Sequence, residues 1–94
     1  MKTEFQESSC FRSAQDINFS IIDREAALLN VRTGAYFGLN EVGTFIWQSY
    51  TEGKTFGEVV KAVCLEFKVD ASVAMADTKT FTQKILDRGL LQVR

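Results

Sequence analysis

Histidine is absent from the 94-residue sequence, and so is proline. Without His the chain lacks the side chain most often used as a general base and as a nitrogen metal ligand near neutral pH. No Ser-His-Asp triad, Cys-His pair or His-metal site can be built from it. Cysteine is scarce: Cys10 and Cys64 lie far apart with no C-x-x-C spacing, a pattern of plain thiols in a reducing cytoplasm rather than of a zinc site or redox pair. Long apolar runs are missing too. Ala26 to Leu29 is among the longest, against the ~20 residues a membrane helix needs. Met1 to Arg12 carries Lys2, Glu4, Glu7 and Arg12 and has no signal-peptide core, so the expected location is the cytoplasm, with no membrane partner. An excess of one charge is also lacking. With 11 Lys plus Arg against 12 Asp plus Glu, the net charge is -1, and no overall positive field draws the chain to nucleic acid.

What is present, 46% hydrophobic and 24% charged residues, is the composition of one compact domain over residues 1–94, with residues 1–10 expected as a loose arm. Ile17, Phe19 and Ile21 alternate with Asn18 and Ser20, the period-2 mark of a half-buried strand. Asp23-Arg24-Glu25 breaks the pattern, and a second strand is expected over Ala26 to Val31. After Arg32-Thr33-Gly34, where Gly can take positive φ, Ala35-Tyr36-Phe37-Gly38-Leu39 reads as a third, antiparallel strand. Gly38 marks a bulge, a close backbone approach, or a bend before the next helix.

The remainder reads as helix. Asn40 is the expected N-cap of a helix through about Tyr50, ended by Thr51-Glu52-Gly53-Lys54. Thr55 and Glu58 form the S/T-x-x-E spacing of a capping box, opening a helix whose apolar face is Phe56, Val59, Val60, Val63, Cys64 and Phe67. A third helix is expected from Asp70 or Ser72 to about Arg88, closed by Gly89, with Leu90 to Val93 leaving as an extended tail. The fold class expected is α+β: a three-stranded antiparallel sheet, then three helices, two of them joined in helix-turn-helix fashion.

No paired carboxylates, phosphate loop or metal-ligand spacing appears, so neither catalysis nor a cofactor is expected. What the pattern offers is a surface. In a simple meander the third strand is an edge, and Ala35 to Leu39 carries no Lys, Pro or inward charge to blunt it. Such an edge can accept a peptide strand, or pair with a second copy of the chain as a homodimer. On the third helix, Phe81 and Ile85 share a face flanked by Asp77, Lys84 and Arg88, an apolar floor with charged walls. Ordinary core packing of Phe81 and Ile85 is the competing reading. Trp47 and Tyr50 are expected in the core.

Leu28-Leu29-Asn30, Thr33-Gly34-Ala35-Tyr36-Phe37, Leu39-Asn40, Gly43, Ile46-Trp47 and Gly53-Lys54-Thr55 together resemble the PqqD-like family. The likeness continues through Phe67-Lys68-Val69-Asp70, Asp77, Phe81, Ile85-Leu86 and Gly89-Leu90-Leu91, from about Ile17 to the C-terminus. It implies a winged helix-turn-helix-like domain that recognises the leader of a ribosomally synthesised precursor peptide. The leader would add a strand antiparallel to Ala35–Leu39 and pack against the third helix around Asp77 to Arg88. The partner it implies is a modifying enzyme: a radical S-adenosylmethionine enzyme in the quinone-cofactor pathway, or a leader peptidase and cyclase in lasso-peptide pathways.

Two other classes compete. A DNA-binding winged helix shares the topology, but Lys79, Lys84 and Arg88 on the third helix are offset by Asp70, Asp77 and Asp87. A constitutive structural subunit of an enzyme complex is the other.

Overall fold

The computed structural model describes residues 5–94. Strand β1 (Phe11–Ser13) is followed by β2 (Ile17–Ile22), β3 (Glu25–Asn30) and β4 (Tyr36–Leu39). Helices α1 (Glu41–Thr51), α2 (Phe56–Phe67) and α3 (Ala71–Asp87) come next, and β5 (Leu91–Val93) ends the chain. The class is α+β, with three helices after a three-stranded antiparallel sheet in the order β2-β3-β4.

Each helix start has a local cause. The Asn40 side chain accepts a hydrogen bond from the Gly43 N–H at 2.8 Å and caps α1. At α2 the capping box is complete, with the Glu58 N–H donating to Thr55 Oγ1 at 3.2 Å and the Thr55 N–H donating to Glu58 Oε1 at 2.8 Å. The Thr55 amide bond, joined by the Lys54 and Lys61 charges, holds the exposed Glu58 carboxyl below its usual range. Helix α3 begins after Asp70, whose side chain makes no capping bond. Gly34 closes the β3–β4 turn at φ +81°, where a Cβ would be strained.

Two expectations are corrected at the ends of the chain. From Phe5 onward the segment expected as a loose arm is docked. The Phe5 ring meets Phe11 and Phe56 edge-on at 5.6 and 5.0 Å. The Ser9 and Glu7 carbonyls accept from the Phe56 and Gly57 N–H groups, both at 2.9 Å, so this segment satisfies the two first-turn donors of α2 that the capping box leaves open. Residues 1–4 lie outside the described residues. The expected extended tail is likewise not free: β5 pairs antiparallel with β1, Phe11 opposite Val93, in a separate two-stranded sheet. Three-residue strands are too short to show alternation, which is why neither stood out in the sequence.

The core lies between the inner face of the main sheet, the helices and β1–β5. Phe11, Leu28, Ile46, Trp47, Tyr50 and Ile85 are its large, almost fully buried side chains.

Candidate functional site

The edge status of β4 can be stated group by group. The Asn30 N–H donates to the Ala35 carbonyl at 2.9 Å, which marks Asn30–Ala35 as a hydrogen-bonded pair. Since such pairs alternate along an antiparallel ladder, Leu28–Phe37 and Ala26–Leu39 are the next ones in this register. The main-chain groups of Phe37 and Leu39 and the Ala35 carbonyl are thereby directed toward β3, while the Ala35 N–H donates to Thr33 Oγ1 at 3.2 Å. Those of Tyr36 and Gly38 are directed outward, and no backbone group among the described residues bonds to them. The open border is thus two residues wide.

The side chains alternate with the same period. Leu39 is buried and Phe37 half-buried on the core side, whereas Tyr36 is 70% exposed on the outer face. Gly38 forms no bulge, and the Tyr36 ring lies alongside it, with Cε1 at an ordinary contact distance of 3.8 Å from where a Cβ would be.

Beyond the end of β4 lies a cleft of about 400 Å³ between α1 and α3. Gly43, Ile46 and Phe81 form its floor, Asp77, Thr80 and Lys84 its α3 wall, and Asn40 and Val42 its opposite rim. Gly43 is where the Phe81 ring of α3 meets α1. A Cβ there would sit 3.0 Å from Phe81 Cε1 and 3.3 Å from Asn40 Oδ1. One turn past Lys84, the Arg88 guanidinium lies over the Phe37 ring at 5.2 Å and joins the C-terminal end of α3 to β4.

Behind the cleft, α1 and α3 are tied by hydroxyls. Thr82 donates to the Thr78 carbonyl at 2.6 Å, so the Tyr50 hydroxyl, 2.6 Å from Thr82 Oγ1, is the donor in that contact. Burial pushes the Tyr50 phenol well above its ordinary range, outweighing the Thr82 bond, which acts in the opposite sense. Tyr50 therefore stays neutral and serves as a fixed strut between the two cleft walls.

Of the residues singled out from the sequence, the structure brings Asp77, Phe81 and Lys84 together in the cleft and sets Phe37 and Arg88 against each other beside it. Tyr36 and Gly38 supply the open main chain. Three others are placed differently. Ile85 is wholly buried and belongs to the core, because the i, i+4 spacing from Phe81 turns it a little further round the helix. Leu39 is a buried anchor, and Ala35 lies just before β4, in the connection from β3. Sequence reasoning missed the α1 contribution from Val42, Gly43 and Ile46. A glycine inside a helix was the available signal. A larger hollow, about 860 Å³, adjoins the other face of the sheet at Ile22, Ala27 and Tyr36. No group of three or more His, Cys, Asp or Glu that could hold a metal occurs among the described residues, nor is any helix among them long and apolar enough to cross a membrane.

These features define a class: small α+β domains in which a sheet edge lies beside a helix-lined cleft. The family model for coenzyme PQQ synthesis protein D (PqqD) matches residues 25–91, most of the chain, and the protein belongs to that family. Among solved structures, TbiB1 in complex with the TbiA(beta) leader peptide is 36% identical, with a TM-score of 0.80 over 86% of this chain and 94% of that one. Lasso peptide synthetase B1 complexed with the leader peptide shares the fold at 24% identity, with a TM-score of 0.80 over 87% of this chain and 96% of the other. No curated protein matches the sequence.

Proposed function

We propose that this chain is a non-catalytic recognition protein that holds the leader of a ribosomally made precursor peptide and presents the peptide to a modifying enzyme in the cytoplasm. The observation that carries this reading is the outward main chain of Tyr36 and Gly38 on an edge strand that leads into the α1–α3 cleft. Both structural relatives were solved with leader peptides, which supports it.

A leader strand antiparallel to β4 exchanges hydrogen bonds with Tyr36 and Gly38. Its residues opposite Leu39 and Phe37 then point to the core side, toward Phe81 and Arg88 respectively. Asp77, Lys84 and Arg88 supply charge selection, and main-chain bonds supply sequence-independent affinity. The helices, with a turn of residues 52–55 between α1 and α2, take the part of a winged helix-turn-helix turned from nucleic acid to peptide. The enzyme served is a leader peptidase with its cyclase, or a radical S-adenosylmethionine enzyme.

The test is calorimetric titration with a synthetic leader from the short precursor frame encoded nearest this chain's gene. The dissociation constant is expected near or below 1 micromolar, about -8 kcal/mol. Phe81→Ala should weaken binding by about 1–3 kcal/mol. A folded Phe81→Ala protein with unchanged affinity removes the cleft from the site. Salt-sensitive binding to duplex DNA, with no response to the leader, replaces the proposal altogether.

A further inference from the structure

The main sheet has a second open edge. The Val31 N–H donates to the Asp16 carbonyl at 2.9 Å, so Asp16–Val31 is a hydrogen-bonded pair, and Asn18–Leu29, Ser20–Ala27 and Ile22–Glu25 follow by alternation. The main-chain groups of Ile17, Phe19 and Ile21 are therefore directed away from β3. No hydrogen bond among the described residues reaches them. At six residues β2 is longer than the four-residue β4, and Ile17 to Ile22 contains no Lys, Pro or charge of the kind that normally protects an edge.

This edge also has a shelf beside it. Ile21 is 50% exposed and borders a hollow of about 440 Å³ that includes the rings of Phe45 from α1 and Phe67 from α2, which meet edge-on at 5.5 Å. The rim of that hollow is acidic. Asp23, Glu41 and Glu66 stand there against one cation, Arg24, whose Nη1 is 3.8 Å from Glu41 Oε1. Asp23 and Glu66 have no ion-pair partner among the described residues. The cleft beside β4 has no such acidic excess: Lys84 stands against Asp77, and Arg88 lies over Phe37 at its side.

We propose that β2 is a second strand-accepting site, and that its occupant is an extended apolar segment bearing Lys or Arg, supplied by a partner protein and distinct from whatever β4 holds. The segment bonds to Ile17, Phe19 and Ile21, lays alternate side chains over Phe45 and Phe67, and sets its basic residues against Asp23 and Glu66. A second copy of this chain fits poorly. An antiparallel β2 pair centred on Phe19 would offer no cation to Asp23 and would set Gln15 opposite it, with Asp16 adjacent.

The test uses the full, isotope-labelled chain and two synthetic peptides, acetyl-KTVTVTK-amide and acetyl-ETVTVTE-amide, whose Val and charged residues share one face of the strand, followed by amide chemical shifts. The basic peptide is expected to shift the Ile17, Phe19 and Ile21 amides while leaving Tyr36 and Gly38 in place. Glu66→Lys, on an exposed helix surface, should weaken it about tenfold. Ile21→Pro, which deletes an outward N–H, should abolish it. Absence of binding, equal binding of the acidic peptide at β2, or shifts confined to Tyr36 and Gly38 would overturn the proposal without touching the role of β4. So would concentration-dependent shifts of the β2 amides without peptide and a dimer mass by light scattering, which would make the occupant a second copy.

Discussion

At Gly43 a single missing carbon gives the Phe81 ring its seat against α1. With the hypothetical Cβ 3.0 Å from the Phe81 ring, Gly43→Ala must displace that ring by a few tenths of an ångström. The expected result is weaker leader binding in calorimetry, while in denaturant unfolding an overpacking cost of about 1–3 kcal/mol is offset by the roughly 0.5–1 kcal/mol that Ala gains over Gly inside a helix. The candidate site was only half legible at this scale. Asp77, Phe81 and Lys84 announce themselves by helical spacing, because i, i+3 and i+4 positions share a face whatever the tertiary structure. Ile85 obeys the same spacing yet faces the core, since periodicity gives the angle between residues but not which way the helix is turned. Gly43 was visible as an oddity whose partner, 38 residues away, nothing local could name.

Among the elements, α2 is the best specified and shows what each cue contributes. Its first N–H groups are satisfied by two sources, the Thr55–Glu58 box and the carbonyls of Glu7 and Ser9. Thr55→Ala should destabilise the domain by about 1 kcal/mol. The folded-state Glu58 carboxyl titrates below its unfolded value, so its contribution is fully present above the ordinary carboxylate range and is lost as pH falls through the lowered value. Thermal melts of the native protein and Glu58→Gln should therefore differ near neutrality and converge in acid. The box was readable because it is written in four consecutive residues. The other half of the cap was not, because the segment that provides it lies some fifty residues upstream and carries no pattern of its own. The strands of the meander were legible from alternation and turns, with β4 starting one residue later than expected because the Ala35 N–H bonds to Thr33 Oγ1 rather than to β3.

For the whole molecule, closure depends on bringing its two ends together. Phe11 is 1% exposed, edge-on to Tyr50 at 4.7 Å, and Leu91 is 2% exposed, so the β1–β5 pair forms one wall of the core. Leu91→Ala is expected to destabilise by about 2–5 kcal/mol, read as a lowered denaturant midpoint with an unchanged slope. An effect below about 0.5 kcal/mol, the usual size at the surface, would mean the pair merely decorates the surface. Three-stranded sheet and three helices were foreseeable because each is written in a contiguous stretch. The terminal pair was not, since it exists only as a relation between stretches at opposite ends.

That same relation bears on how the protein is made. Phe11 lies opposite Val93, 93 - 11 = 82 residues later. At about 5–20 residues per second, a ribosome needs roughly 4–16 seconds to supply the partner. Throughout that interval the phenyl ring of Phe11 has no finished wall to enter, and the nascent chain carries β1 unmated. Agents that shield such segments during translation should therefore affect the yield of this protein more than its final stability.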